Sequence, residues 1–303
     1  MDHYPVLLEE MLAQLDVKPA GIYLDCTLGE CGYAEAILKR LTTGRLIAVD
    51  RDAGALERAR HRLKDYEGQV EFIQACYSEI AGLVRSQSPA WAAVEAPFQG
   101  IVADIGISRR QVEDAARGFS FLREAELDMR MDQRQELTAD QIVNHYQERQ
   151  LADLIYQYGE ERRSRRIARA IVRGRPVHST VRLAEIIERA VPRSPRQKIH
   201  PATRTFQALR IAVNNELEEL QGLLDTAPLL LAPGGRMVVV SFHSLEDRLV
   251  KWAFRGWAEK QVLEILTKRV IRPSDKELHE NAASRSAKLR AAERTDIPWR
   301  QQN

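Results

Sequence analysis

Aspartate closes three short apolar runs of the chain: Asp25 after Ile22-Tyr23-Leu24, Asp50 after Leu46 to Val49, and Asp104 after Ile101 to Ala103. A carboxylate at such a point can accept hydrogen bonds from sugar hydroxyls or an amine. Asp25-Cys26-Thr27-Leu28-Gly29-Glu30-Cys31-Gly32 follows the first run, and its glycines let the backbone approach a ligand closely. A dinucleotide-binding turn would read G-x-G-x-x-G, whereas this one reads G-x-x-G. Asp50 stands 25 residues after Asp25, where a carboxylate can hold both hydroxyls of an adenosine ribose. Together the three sites suit S-adenosylmethionine better than a nicotinamide dinucleotide, because no glycine triad is present to cradle a pyrophosphate.

Four further stretches carry candidate chemistry. Asp104-Ile105-Gly106-Ile107-Ser108, with Gln111 behind it, leaves an apolar run beside the expected crevice. Residues 117–131 hold Phe119, Phe121, Met129 and Met131 among arginines. Such aromatics can stack a nucleobase, but an aromatic pair with two methionines is more often core. Residues 200–210 open a helix that delivers Arg204 and Arg210. Residues 241–248 place His243 at a strand end, and Ser244 to Asp247 resembles a helix capping box.

The elements that must position these residues alternate. Runs at 22–26, 45–49, 70–75 and 100–104 read as strands, separated by amphipathic stretches at 32–41, 53–63 and 78–86. Continuous apolar strands alternating with helices predict a parallel sheet covered on both faces. From about 111 to 201 no strand pattern appears, and helical spacing takes over at 138–146, 150–158, 160–173 and 180–190. A long helix is expected over 202–231, ended by Pro233-Gly234-Gly235, then a strand at 236–241, a helix at 245–257 and an antiparallel pair at 262–267 and 288–292. The predicted organisation is a doubly wound α/β sheet, residues 1–110 and 202–303, interrupted by an all-helical domain at 111–201.

Charge singles out one part of that insertion. Residues 162–204 hold thirteen Lys and Arg against two acids, in a chain of 303 residues with a formal net charge of +2. Twelve of the thirteen are Arg, whose planar fork matches phosphate. A solvated helix face is the plainer explanation, but five arginines within two turns exceed the acids nearby, which favours a polyanion surface. No apolar run approaches the roughly 20 residues of a membrane span. Three cysteines are too few for a disulfide framework or structural zinc site. The expectation is a soluble cytoplasmic protein with no metal.

The motifs as a set resemble the family of small-subunit ribosomal RNA methyltransferases that modify N4 of a cytidine in the decoding region (the RsmH, formerly MraW, family). The resemblance runs from His3-Tyr4-Pro5 to Glu293-Arg294 and rests on RGFSF, LDMRM, YGEE, HPATRTFQALR and FHSLEDR, in the family's order. It implies a class I (Rossmann-like) methyltransferase sheet with an inserted helical domain, S-adenosylmethionine as cofactor, and 16S ribosomal RNA, within the small subunit, as partner. Carried onto this chain, it implies cofactor contacts at Cys31, Gly32, Tyr33, Asp50, Tyr77, Asp104 and Gln111, to which the glycine turn itself adds Gly29. Candidate acid–base or base-contacting groups are Asp104, Ser108, Asp128 and His243, with Phe119, Phe121 or Phe242 to sandwich the ring. Candidate RNA contacts are Arg162, Arg163, Arg166, Arg169, Arg204 and Arg210. The chain departs from the family at Cys31-Gly32-Tyr33 (usually Gly-Gly-His), at Tyr77 (usually Phe) and at Arg109-Arg110 (usually Ser and Pro). A left-handed backbone at Cys31 would cost about 1–2 kcal/mol relative to Gly. The alternatives are a methyltransferase acting on another nucleic acid and a non-catalytic ribosome-binding or assembly factor. The oligomeric state, a homodimer included, is left open.

Overall fold

The computed structural model describes residues 5–86, 97–193 and 199–297. They form two compact units: 1–106 with 217–303, and 107–216.

The first unit is built on seven strands, β1 (Ile22–Asp25), β2 (Arg45–Asp50), β3 (Val70–Gln74), β4 (Phe98–Asp104), β5 (Leu231–Ser241), β6 (Leu263–Ile265) and β7 (Lys288–Arg294). Their order is β3-β2-β1-β4-β5-β7-β6, parallel as far as β5, with β7 antiparallel to both neighbours. Side chains alternate across a strand, so the apolar runs divide between two faces. Leu24, Ile47, Val49, Ile101, Ala103 and Val239 join one core cluster, and Tyr23, Leu46, Ala48, Val102, Val238 and Val240 join the other. Helices α1 (Leu8–Leu15), α2 (Gly32–Leu38) and α3 (Ala53–Arg62) cover the second face, and α4 (Ile80–Ser86) belongs to the first. The winding direction reverses between β1 and β4, which leaves a crevice at their carboxyl ends, the place where open α/β sheets bind ligands.

The second unit contains α5 (Arg109–Glu113), α6 (Ala139–His145), α7 (Glu148–Gly159), α8 (Ser164–Arg173), α9 (Thr180–Ala190) and α10 (Thr203–Asn214). Its own core gathers Phe119, Met129, Met131, Ile155, Ile167, Ile187 and Leu209. The aromatic–methionine stretch is therefore largely core. Phe121 packs within this unit against Phe206 and His200, with ring centroids 4.9 and 4.8 Å away.

Three expectations need correction here. The long helix at 202–231 is two helices, α10 and α11 (Glu216–Leu230), because Asn215 takes a left-handed conformation. The buried Asn214 side chain is spent on backbone, donating to Met129 O at 2.7 Å and accepting from Met131 N at 2.7 Å. Helix α10 packs against α7, so the helical unit runs to Glu216, beyond the expected boundary at 201. Strand β5 also begins at Leu231, earlier than expected: Pro233-Gly234-Gly235 makes a register shift within the strand instead of preceding it. After β5 come α12 (Ser244–Glu259) and α13 (Asp275–Glu280).

Candidate functional site

At the end of β1 the chain turns through two left-handed residues, Gly29 (φ 48°) and Cys31 (φ 65°). The strain expected at Cys31 is therefore present. Its thiol is buried, and burial pushes the group up to about 12, so it is no nucleophile at neutral pH. Gly32 is required for a different reason: a Cβ there would lie 2.1 Å from Pro5 Cγ. The Tyr33 hydroxyl donates to Val6 O, and the ring is buried. Tyr33 thus ties the incoming N-terminal segment to the turn, which consumes the phenol expected to meet the cofactor.

Asp50 closes the turn from β2. Its Oδ2 accepts from Gly29 N and its Oδ1 from Asp52 N, both at 2.9 Å. Burial raises its pKa against these amides, which lower it. Each oxygen keeps a second lone pair for a sugar hydroxyl. Beyond Asp50, the Arg51 guanidinium lies 5.2 Å from the centroid of the buried Tyr77 ring.

The crevice itself is acidic. Thr27 bridges its two sides: its Oγ1 accepts from Asp104 N at 2.6 Å, and its own amide donates to Asp25 Oδ1 at 3.0 Å. Asp25 Oδ2 and Asp104 Oδ1 are buried without a hydrogen-bond partner. Burial pushes Asp25 up to about 7 and Asp104 up to about 8; the charge of Asp50 raises Asp25 further, and those of Asp25 and Glu246 raise Asp104. Buried carboxyls with open valences at a switch point fit a ligand that brings positive charge and donor hydrogens. S-adenosylmethionine, with its sulfonium, ammonium and ribose, meets that description.

His243 stands at the end of β5, and here the expected helix cap is displaced by one residue. The cap is His243 itself, whose Nδ1 accepts from Glu246 N at 3.4 Å, while Glu246 Oε2 accepts from Phe242 N at 2.8 Å. Nε2 of His243 lies 2.8 Å from Glu246 Oε1, but off the line of a hydrogen bond. His243 and Phe242 are thus held in place by a fully buried carboxylate.

The structure brings Gly29, Cys31, Gly32, Asp50 and Asp104 into one hydrogen-bonded turn. Three other candidates belong to the helical unit and have local partners. Ser108 and Gln111 cap α5 reciprocally, with Gln111 Oε1 accepting from Ser108 N at 3.0 Å and Ser108 Oγ accepting from Gln111 N at 3.2 Å. Burial pushes the Asp128 carboxyl up, yet hydrogen bonds from Arg130 at 2.8 and 2.9 Å outweigh it and leave the group below its usual range. A carboxylate so held is a poor proton acceptor. Thr27 and Glu246 complete the crevice; the sequence shows Thr27 only as part of the glycine turn and Glu246 only inside the cap-like Ser244 to Asp247.

The arginines of the helical unit sort by partner. Arg162, Arg163, Arg165, Arg166 and Arg169 are exposed, opposite the buried Ser164, Ile167, Ala168 and Ile171. Arg163 lies 3.6 Å from Glu161, Arg204 3.7 Å from the same carboxylate, and Arg169 3.4 Å from Glu148. Arg162, Arg165 and Arg166 have no ion-pair partner among the described residues. They cluster at the N-terminal end of α8, where the helix dipole disfavours cations. Helix stability therefore does not explain them. Arg196 and Lys198 lie outside the described residues. Arg210 corrects the expected RNA contacts: its fork is locked on the buried Glu216 by two bonds of 2.8 Å. Arg210→Ala should lower the unfolding free energy by about 3–5 kcal/mol, because it strands that carboxylate. A urea midpoint matching wild type would disprove the internal role.

The seven-stranded sheet carries an acidic crevice and a left-handed turn at its switch point, and the chain is a methyltransferase. The model of the MraW methylase family matches residues 1–295, and the chain belongs to that family. It is 49% identical to the Ribosomal RNA small subunit methyltransferase H of Solibacter usitatus, over 96% of this chain and 99% of that protein. It is 47% identical to the protein of the same name from a Cyanothece species, over 97% of this chain and 95% of that one. A solved rRNA methylase from Streptococcus thermophilus aligns with a TM-score of 0.42 at 13% identity, covering 98% of this chain and 99% of that chain. No helix among the described residues is long and apolar enough to cross a membrane.

Proposed function

We propose that the chain transfers a methyl group from S-adenosylmethionine to the N4 amine of a cytidine in the decoding region of 16S ribosomal RNA, acting in the cytoplasm on the small subunit. The observation that carries this reading is the pair of buried, unpartnered carboxylate oxygens of Asp25 and Asp104 beside Asp50, in a member of the MraW methylase family. Asp50 takes the ribose hydroxyls, and Asp25 balances the donor's positive charge. The bound donor supplies an activated methyl group whose leaving group is a neutral thioether. Most of the remaining barrier lies in aligning the amine, methyl and sulfur. The cytosine amine is a weak nucleophile because its lone pair delocalises into the ring. An acceptor on its N–H localises that pair and then takes the proton. Asp104 has the open oxygen and the raised pKa for this task, whereas Ser108 and Asp128 are committed elsewhere. The target base leaves its stack to reach the methyl group. Arg162, Arg163, Arg165, Arg166, Arg169 and Arg204 hold RNA phosphates.

The decisive experiment supplies methyl-labelled donor with isolated small subunits, naked 16S RNA or DNA, followed by nucleoside analysis. Label in N4-methylcytidine from subunits is the expected result. Donor binding without transfer to any of the three would leave a non-catalytic ribosome-binding factor.

The raised carboxyls also set a pH dependence. Their folded values, about 7 and 8, lie above the unfolded value of about 3.9. The stability they lend the donor-free protein is complete below about pH 4 and is lost as pH rises through 7 to 8. Only the ionised forms attract the cationic donor, so its affinity should rise about tenfold or more from pH 6 to pH 9. Calorimetry in buffers of different ionisation heat should show proton release near neutral pH. A flat affinity with no proton release would disprove the assignment.

A further inference from the structure

Helix α12 has an outward stripe that the donor site does not use. Its inner side, with Val250, Phe254 and Trp257, is buried in the core of the sheet unit. On the other side Arg248, Trp252, Arg255 and Glu259 are exposed, and Lys251 stands half-exposed beside them. Trp252 is 58% exposed, an unfavourable place for an indole unless something covers it. Lys251 Nζ lies 5.5 Å and Arg255 Cζ 5.1 Å from the ring centroid. Arg255 precedes Glu259 by four residues, yet neither Arg255 nor Lys251 is paired with a carboxylate among the described residues.

We propose that this stripe is a second RNA contact, in which an unpaired base stacks on Trp252 while Lys251 and Arg255 take the flanking phosphates. It rests on reading the chain as an RNA methyltransferase. An exposed indole is a platform for any base, and the two cations that lie over its ring turn to the phosphates on either side when a base takes their place. Charge argues against a second copy of the chain as occupant. A twofold contact would set Lys251, Arg255 and Arg248 against the same cations, with a single acid, Glu259, on the stripe to offset them.

The test titrates a labelled single-stranded 16S RNA fragment into the full chain and its variants. Trp252→Ala is expected to weaken binding about tenfold. Trp252→Phe, which keeps a stacking face, should stay within about threefold of wild type. The double variant Lys251→Glu with Arg255→Glu should bind still more weakly and flatten the salt dependence by about one counterion. Affinity for S-adenosylmethionine serves as the folding control and should not change. Wild-type RNA affinity in Trp252→Ala and in the double variant overturns the proposal, as does a Phe variant no better than Ala. A smaller sedimenting mass in the variants with RNA affinity intact would make the stripe a self-association face, which also overturns it. Failure of the wild-type chain to bind the fragment refutes the underlying RNA reading, and is seen before any variant is compared.

Discussion

Asp50→Ala should weaken S-adenosylmethionine binding by about 100-fold or more, read by calorimetry on a folded sample. The loss has two sources. The carboxylate accepts from Gly29 N and Asp52 N, so its removal frees the amides that set the turn around the donor. Leaving a buried donor group unsatisfied costs about 1–3 kcal/mol. The ribose hydroxyls lose their acceptor as well, and about 3 kcal/mol in total corresponds to about two orders of magnitude in affinity. Asp50→Asn separates the contributions, because its single carbonyl oxygen can serve only part of this network. Donor affinity within a few-fold of wild type in Asp50→Ala would remove Asp50 from the site.

Reversal of Arg162, Arg165 and Arg166 to Glu should weaken RNA binding by about a thousand-fold at moderate salt, with donor affinity intact. These three arginines have no carboxylate partner to release, so the whole change falls on the surface potential. Glutamate at the start of α8 also agrees with the helix dipole, so the variant should fold at least as well as the parent. Single-stranded RNA releases about 0.7 counterion per neutralised phosphate, so removing three contacts flattens the salt dependence by about two. The same reversal at Arg163 and Arg169 should do less, because each is already partly neutralised by Glu161 or Glu148. Unchanged RNA affinity and an unchanged salt slope in the triple variant would refute the polyanion surface.

Much of this was legible beforehand. The apolar runs before Asp25, Asp50 and Asp104 specify buried parallel strands, because their period forces side chains onto two covered faces. The arginine excess at 162–204 was visible by counting. The division of the chain was less legible: a continuous apolar stripe spans 202–231, and the break falls at the left-handed Asn215, next to Asn214, which bonds Met129 and Met131 far back in the sequence. Tyr33 and Gln111 read as ligand contacts, since nothing local shows that one is taken by Val6 and the other by Ser108. Arg210 and Arg204 look alike in one helix, but Arg210 is locked on the buried Glu216 by two bonds of 2.8 Å, whereas the exposed Arg204 lies 3.7 Å from the buried Glu161.

The sequence by itself determined the sheet, the ligand-bearing end of that sheet, and the basic segment, since periodicity and charge are properties of neighbours along the chain. Only the tertiary structure decided which charged groups are spent and which are free. Asp25, Asp104 and Glu246 come from three distant segments, and their open valences exist because folding removes water without supplying partners. Partnership across such separations depends on how the strands order themselves in space, which no local pattern encodes.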